Sequence, residues 1–496
     1  MTSRRSYGML IVALTLAISM LACNFGKTAA PTSQPSFTPP PPPTQTTPPT
    51  QPPAPTPTTE PTSTTIPTAT QAPAEATLEK PTDEPVGEVT LIAPNIVAGA
   101  INILASNSFM DEFDDWNIAG LVRNDTERMV NDIEIEIEIF DAQENSVYKE
   151  VAYTSLSNLA PGEISPFDLW VYEDLPDADH FKATIVGNGT NTYSERIAAD
   201  ISKVTLTVDD YQYTHLTGLV TNNTDQPMDV NTVAAALFDV DQNILDAQTE
   251  SVILNHLEPG ESGPFRITFS GLGNLVEAID TYQFYVDAVV GSEPDYYDLK
   301  LSEDHNDYMD AYDSYHLVGT LTNNSDQYIN ASLVASILDK DGNVLDASST
   351  SLAMLSIAPN ETLPYDFDYW GPIDASKDVL SKADRYRVQV DWYWTWDSTT
   401  QLVDLSISDE TNTFDDYTGT FTGMIVNNSG LDLDYATVVV YLYDRQTEQV
   451  LMMGYDSLWD ELPNGGSADF EVNVPIPPNF DVDSIFYDTL VKGEPK

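Results

Sequence analysis

Apolar and acidic side chains alternate strictly along NDIEIEIEIFD, residues 131–141. Isoleucines stand at every second position there, with Glu134, Glu136 and Glu138 between them. Successive side chains of a β-strand point to opposite faces, so a period of two predicts a half-buried antiparallel strand. The rest of the chain beyond residue 88 shows similar short runs separated by turn residues, and no convincing amphipathic helix. The pattern therefore predicts an all-β protein.

Three short markers recur in constant register at intervals of about 100 residues. The first is a glycine-to-asparagine segment, found at GLVRN 120–124, GLVTN 218–222, GTLTN 319–323 and GMIVN 423–427. About 20 residues later comes an aspartate after two apolar residues, at Asp141, Asp239, Asp339 and Asp444. A proline turn follows, at PGE 161–163, PGE 259–261, PNE 359–361 and PNGG 463–466. Three markers in one order indicate four copies of a single unit.

A unit of roughly 100 residues built from short strands and regular turns predicts a two-sheet sandwich. We therefore expect four tandem immunoglobulin-like antiparallel β-sandwiches, which we call repeats 1 to 4. Their predicted ranges are 88–198, 199–298, 299–402 and 403–496. The aspartates of the second marker precede DQN, KDGN and RQTEQ, which predict hairpin turns rather than calcium loops.

The N-terminus has the order of a targeting segment. Arg4 and Arg5 precede an apolar run at 8–22, which is too short to cross a membrane comfortably and ends at Cys23, the only cysteine of the chain. This order resembles a bacterial lipoprotein signal. The resemblance implies removal of residues 1–22, lipidation of the Cys23 sulfur, and a cell-membrane location facing the extracytoplasmic side. The alternative is an ordinary secretory signal with a chance cysteine.

Residues 23–87 have the composition of a stalk. Eighteen of the 34 prolines lie between 27 and 86, a stretch without glycine. Proline fixes φ and removes hydrogen-bond donors, and few apolar residues are present to drive folding. We therefore expect a disordered, extended Pro/Thr-rich linker between the lipid anchor and the repeats.

The charge balance restricts the possible partners. With 78 acidic and 20 basic residues, the formal net charge is −58, which opposes binding to nucleic acid. Acidic clusters precede each repeated glycine, such as Asp209 and Asp210 in repeat 2. Clustered carboxylates could bind Ca²⁺ and stiffen the connections between repeats, but their spacing differs between copies, which favours solvated turns.

The segment YLYD at 441–444, with GMIVNNS upstream and a proline turn downstream, resembles the FxLYD domain. That family implies an immunoglobulin-like sandwich in microbial surface proteins and no catalytic residues. At the position of the family's first phenylalanine, this chain has Ile137, Ala235, Ala335 and Val440.

Tryptophans form the remaining chemical signal. In DWYWTWD, residues 391–397, the indoles of Trp392, Trp394 and Trp396 share one strand face, and Trp370 lies upstream. Alignment with repeat 2 places this row on the apolar face that continues the core. The alternatives are an interdomain contact and a carbohydrate platform, so these four residues are a candidate ligand face.

No catalytic motif and no cofactor site stand out, because the five histidines are scattered and the carboxylates are too abundant for a pair to be distinctive. We expect a non-enzymatic surface lipoprotein that displays its repeats for protein interaction or adhesion. The alternatives are a glycan- or cell-wall-binding module and a Ca²⁺-stiffened stalk.

Overall fold

The protein is all-β, as predicted. A computed structural model describes residues 97–111, 115–189, 196–292, 298–303, 305–368, 370–391 and 401–496, without the side chain of Asn274. Strands account for 60% and helices for 4% of the structure, and the strand pairs are antiparallel. The predicted signal segment, Cys23 and the Pro/Thr-rich stalk lie outside the described residues.

Repeat 1 shows the arrangement that all four copies share. Its front sheet has the order β1-β2-β6, and its back sheet has β4-β3-β7, with the two-residue strand β5 also paired to β3. The chain passes between the sheets after β2 and again around β6, as in immunoglobulin-like sandwiches. The strands are β1 (Ile101–Met110), β2 (Trp116–Asn124), β3 (Val130–Asp141), β4 (Ser146–Tyr153), β5 (Asn158–Leu159), β6 (Ile164–Val171) and β7 (Ala178–Gly189).

Repeats 2 and 3 follow the same plan. Repeat 2 has front-sheet strands β8 (Asp200–Val208), β9 (Thr214–Thr221) and β13 (Ser262–Phe269). Its back sheet contains β10 (Met228–Phe238), β11 (Ile244–Glu250), β12 (His256–Leu257) and β14 (Thr281–Val290), and a 3₁₀ helix spans Gly273–Ala278. Repeat 3 has front-sheet strands β15 (Leu299–Leu301), β16 (Asn306–Met309), β17 (Tyr315–Asn323) and β20 (Thr362–Phe367). Its back sheet contains β18 (Ser332–Leu338), β19 (Val344–Ser351) and β21 (Arg385–Asp391), and two short helices are α1 (Pro372–Ala375) and α2 (Lys377–Leu380).

Repeat 4 completes the series. Its front-sheet strands are β23 (Ser406–Phe414), β24 (Thr418–Val426) and β27 (Ser467–Pro475). Its back-sheet strands are β22 (Val403–Asp404), β25 (Leu433–Asp444), β26 (Val450–Leu458) and β28 (Ile485–Pro495), and a 3₁₀ helix spans Val482–Ser484.

The repeated asparagine fixes a corner where three chain segments meet. In repeat 2, the Nδ2 group of Asn222 donates to the carbonyls of Gln226 and Leu257, at 2.8 Å each. Its Oδ1 accepts from the backbone N–H and the hydroxyl of Thr224. The asparagine carbonyl accepts from Gly260 of the proline turn. The same bonds recur around Asn124, Asn323 and Asn427.

The repeated glycine makes room for an aromatic ring from the neighbouring strand. Gly218 of β9 pairs with Phe265 of β13, and a Cβ atom at Gly218 would lie 2.7 Å from the Phe265 ring. Gly120, Gly319 and Gly423 meet Phe167, Tyr365 and Phe470 in the same way. The front sheet therefore requires glycine here because the ring fills the space of a side chain.

The repeated aspartate closes the hairpin of the back sheet. Asp239 Oδ1 accepts the backbone N–H groups of Asp241 and Asn243, and Oδ2 accepts from the Asn243 amide at 2.9 Å. These bonds, with the Asn243 side chain as the main cause, lower the pKa of the Asp239 carboxyl. The carboxylate oxygens are thus engaged within a hairpin turn, as the sequence predicted.

Removing the corner asparagine should destabilise its repeat strongly. Asn222→Ala would leave the buried Leu257 carbonyl and the partly buried Gln226 carbonyl without their donor, so we expect the free energy of unfolding to fall by about 2–4 kcal/mol. Asn223→Ala is the control, because that side chain is exposed and bonds to Asp200 at the surface. Urea denaturation monitored by circular dichroism measures both. Equal losses in the two variants would contradict the role given to Asn222.

Candidate functional site

Trp370, one of the four residues of the predicted ligand face, is buried in the structure. Its side chain is only 3% exposed, and its Nε1–H donates to the Phe367 carbonyl at 3.3 Å. The indole packs in the core of repeat 3 beside Ile373 of α1. The assignment of Trp370 to a ligand face is therefore wrong, because the indole packs against the rings of Tyr315 and Phe367 inside repeat 3. Trp392, Trp394 and Trp396 lie outside the described residues.

The acidic clusters before the repeated glycines form the front-sheet hairpins. Asp209 Oδ1 accepts the backbone N–H groups of Tyr211 and Tyr213 at 2.9 Å each. Asp310 and Asp415 accept two backbone N–H groups each in the same manner. Within the described ranges, no group of three or more acidic, histidine or cysteine side chains is arranged to hold a metal ion.

Successive repeats contact each other through whole sheets. The front sheet of one repeat packs on the back sheet of the next, and we call these contacts junctions 1/2, 2/3 and 3/4. Ala234, Ala236 and Phe238 of β10 belong to the apolar cluster of repeat 1, whereas Ala235 and Leu237 belong to that of repeat 2. Strand β10 is therefore buried on both faces. Val334 and Val439 occupy the position equivalent to Ala234 at junctions 2/3 and 3/4.

One hydrogen bond marks the start of the same strand at each junction. The Ile244 carbonyl of β11 accepts from the Asn107 side chain at 2.9 Å. The Val344 carbonyl of β19 accepts from Thr217 at 2.5 Å, and the Leu451 carbonyl of β26 accepts from Asn306 at 2.9 Å. The three junctions therefore pair the same two sheets, although the donor at junction 2/3 lies on the second front-sheet strand and the acceptor at junction 3/4 is the second residue of its strand.

Each junction also contains a basic side chain that bridges the two repeats. At junction 1/2, Arg196 contacts Glu163 at 2.7 Å and the fully buried Asp287 at 3.5 Å. At junction 2/3, Arg266 contacts the fully buried Asp346 at 2.7 Å. At junction 3/4, the buried Lys492 pairs with Glu361. Buried carboxylates need such partners because desolvation of an unpaired charge is costly.

A buried histidine lies on the front sheet of repeat 3, beside Tyr308, whose hydroxyl reaches the Pro475 carbonyl of repeat 4. His316 Nδ1 lies 2.9 Å from Asp366, and its ring stacks on Tyr308 with centroids 4.6 Å apart. Burial alone would lower the pKa of His316. The hydrogen bond to Asp366 and the nearby carboxylates outweigh that effect and raise it. This histidine is held towards its charged form by its surroundings.

The two outer sheets of the array differ from the buried ones in composition. The back sheet of repeat 1 has Glu136 and Glu138 where repeat 2 has Ala234 and Ala236, and Lys149 bridges these glutamates. The front sheet of repeat 4 has an open groove of about 520 Å³, lined by Asp409, Asp469 and Glu471 together with Thr422, Met424 and Phe470. Among the described residues, no other repeat packs on either of these two faces, which accords with their acidic side chains.

The front-sheet hairpins expose tyrosines at equivalent positions. Tyr211, Tyr312 and Tyr417 stand two residues after the turn aspartates and are 74%, 67% and 51% exposed. The rings of Tyr312 and Tyr417 lie 5.8 Å apart, so the hairpins of repeats 3 and 4 meet. Separately, Trp459 of repeat 4 is 80% exposed and stacks on Tyr435 at 5.5 Å. Sequence reasoning missed these aromatics. For the three tyrosines, the available signal was their constant offset from the turn aspartate.

No family model and no curated protein matches the chain. Among solved structures, the C-terminal globular domain of an oligosaccharyltransferase from Pyrococcus abyssi aligns over 54% of this chain and 75% of its own, at 10% identity and a TM-score of 0.12. The alpha-2-macroglobulin of E. coli aligns over 81% of this chain and 28% of its own, at 10% identity and 0.12. The Salmonella alpha-2-macroglobulin reacted with methylamine aligns over 80% and 29%, at 9% identity and 0.11. TM-scores this low do not indicate a common arrangement of domains.

No helix within the described residues is long and apolar enough to cross a membrane.

Loss of the basic partner at junction 2/3 should be far more damaging than loss of a surface ion pair. Arg266→Met leaves Asp346 buried and uncompensated, so the free energy of unfolding should fall by about 3–5 kcal/mol. Lys382→Met is the control, since Lys382 and its partner Asp378 are both exposed, and it should cost less than about 1 kcal/mol. Urea denaturation compares the two, and similar losses would show that Arg266 does not support the junction.

Proposed function

We propose that this chain is a non-enzymatic lipoprotein of the cell surface whose tandem sandwiches bind other surface proteins or mediate adhesion. The structure itself is a β-domain array. The observation that carries the proposal is the exposure of Tyr211, Tyr312 and Tyr417 on equivalent hairpins of three repeats. Loops on a rigid scaffold are the usual place for binding residues, and tyrosine is enriched at protein interfaces.

The arrangement of these hairpins supports a shared surface. The Tyr312–Tyr417 contact brings two hairpins together across junction 3/4. The backbone N–H of Asp210, next to Tyr211, donates to the Ala375 carbonyl of α1 in repeat 3. The hairpin of repeat 2 is thus bonded to repeat 3, and the hairpins of repeats 3 and 4 touch each other. A partner that contacts several tyrosines gains affinity from each without a new binding mode.

The N-terminal sequence supports membrane attachment through Cys23, with the stalk at 23–87 holding the repeats away from the bilayer. The resemblance of YLYD at 441–444 to the FxLYD domain agrees with a surface location. In the structure, this motif ends β25 with Leu442 in the core and the Asp444 carboxylate in the hairpin turn.

A glycan is the second candidate ligand, favoured by one specific feature. Trp459 presents an open indole face that is stacked on Tyr435 and flanked by Asp460 and Glu461. A flat, exposed aromatic ring suits a sugar, which has an apolar face and peripheral hydroxyls. This platform lies apart in sequence from the tyrosine hairpins, so the two candidates can be tested separately.

Replacing the hairpin tyrosines should remove protein binding and leave the fold intact. We expect the combined variant Tyr211→Ser, Tyr312→Ser and Tyr417→Ser to bind immobilised cell-surface protein at least about tenfold more weakly. The matched control carries Tyr153→Ser, Tyr172→Ser and Tyr455→Ser, at equally exposed positions elsewhere. Surface plasmon resonance measures the binding and circular dichroism checks the fold.

Two results would contradict the assignment. The first is equal binding by the two triple variants. The second is binding that Trp459→Ala abolishes and soluble cell-wall glycan competes away, while the hairpin variant retains it. That second result would favour the glycan candidate instead.

Cys23→Ser should detach the protein from the membrane. Without a thiol there is no acceptor for the lipid, because Cys23 is the only cysteine. We expect loss of metabolic labelling with radioactive palmitate and a shift of the protein from the membrane to the soluble fraction. Asn24→Ser, one position later, serves as the control and should keep both properties. Membrane retention of the unlabelled Cys23 variant would contradict lipid anchoring.

A further inference from the structure

Junction 1/2 brings together two carboxyl groups where junction 2/3 has an ion pair. By register with the front-sheet glycine and its aromatic partner, Asp168 of β6 occupies the position of Arg266 in β13. Asp246 of β11 occupies the position of Asp346 in β19. Arg266 neutralises Asp346 at 2.7 Å, whereas the charges of Asp168 and Asp246 repel each other.

Asp246 is fully buried and only partly satisfied. Its Oδ1 accepts the backbone N–H of Ala247 at 2.7 Å, and its Oδ2 has no hydrogen-bond partner among the described residues. The Gln248 side chain lies close enough to favour the ionised form weakly. On β2, the side-chain oxygen and nitrogen of the buried Asn117 also lack hydrogen-bond partners in the described part of the chain. Asn117 stands where repeats 2 and 3 have His215 and His316.

The other charged groups of this junction are directed elsewhere. Arg196 is engaged by Glu163 and Asp287. On β11 itself, Glu250 interacts with Arg266 from β13. Tyr285 of β14 stays neutral, because burial raises its pKa far above the physiological range. Asn107 of β1 and Asn117 of β2 carry no charge. Asp168 from β6 is thus the ionisable group that acts most directly on Asp246.

We propose that junction 1/2 is a proton-dependent joint, tight when a proton neutralises the Asp168–Asp246 pair and loosened when both carboxyl groups ionise. Junction 2/3 has no such dependence at this site, because Arg266 supplies the compensating charge. The proposal goes beyond the binding function, since it concerns the stiffness of the array and holds whatever the partner is.

The direction of the pH effect follows from the burial of the pair. Burial raises the pKa of Asp168 from 3.8 to about 6, and raises that of Asp246 well above its ordinary value. The closed junction therefore binds protons more tightly than the open one. Its stabilisation is complete below the ordinary pKa of aspartate and is lost as the pH rises through about 6 and beyond.

Amide hydrogen exchange of the full chain tests the joint with an internal reference. Strands β11 and β19 are equivalent, so the ratio of their exchange rates at one pH cancels most of the intrinsic pH dependence. We expect the β11-to-β19 ratio to rise at least about tenfold between pH 5 and pH 8, given that one unit of pKa shift corresponds to a factor of ten. A ratio that stays constant within twofold would overturn the proposal.

Two substitutions at Asp168 test the proposal further, and the first of them copies the ion pair of junction 2/3. Asp168→Arg copies the Arg266–Asp346 pair and should flatten the pH dependence of β11. Asp168→Asn removes the repulsion without a large side chain and should do the same if the arginine variant fails to fold. Retention of the full pH dependence in Asp168→Asn would overturn the proposal. Restoration of β11 protection at pH 8 by 10 mM Ca²⁺ would also overturn it, because the pair would then take a metal cation in place of a proton.

Discussion

Burial of the back sheets of repeats 2 to 4 on both faces is the constraint on which the array depends. One face of β10 packs in its own repeat and the other on the repeat before it, so Val233 through Phe238 are all buried. The close approach of two sheets favours small or flat outer residues, such as Ala234 and Ala236. Each repeat contacts mainly its neighbours, and stability is therefore a sum of repeat and junction contributions, as in other repeat proteins. The repeated asparagine fixes the corner of each sandwich through hydrogen bonds within its own repeat.

The same constraint explains where the few basic residues lie. Acidic side chains dominate a chain of net charge −58 and are well solvated at the surface, where they need no partner. A carboxylate enclosed between two sheets does need one. Arg196, Arg266 and Lys492 serve one junction each. Asp168 and Asp246 at junction 1/2 have no such cation among the described residues, so the junctions pair the same sheets and differ in electrostatics.

The sequence predicted the fold well where a single face was buried. The period of two in β3 is visible because its outer glutamates face solvent, and the three markers converge on corners and turns that each copy needs. In β10 the period of two cannot be recognised from the sequence, because AAALF is apolar on both faces of the strand. Trp370 was misassigned because it packs against Tyr315 and Phe367, which are distant in sequence or on another strand and form no local pattern with it. Junction partners such as Arg266 and Asp346 stand 80 residues apart, and no local pattern connects them.

The junctions also determine what the hairpins can present. Tyr312 and Tyr417 meet only because junction 3/4 holds two front-sheet hairpins side by side. The Lys492–Glu361 pair crosses that junction, whereas the His316–Asp366 contact lies within the front sheet of repeat 3. A surface assembled from several repeats keeps its geometry only while the junctions stay closed, since each hairpin is carried by a different sandwich. The charged contacts buried between the sheets therefore help to hold the junctions closed. The closed junctions in turn fix the spacing of the aromatic side chains that are exposed at the hairpins.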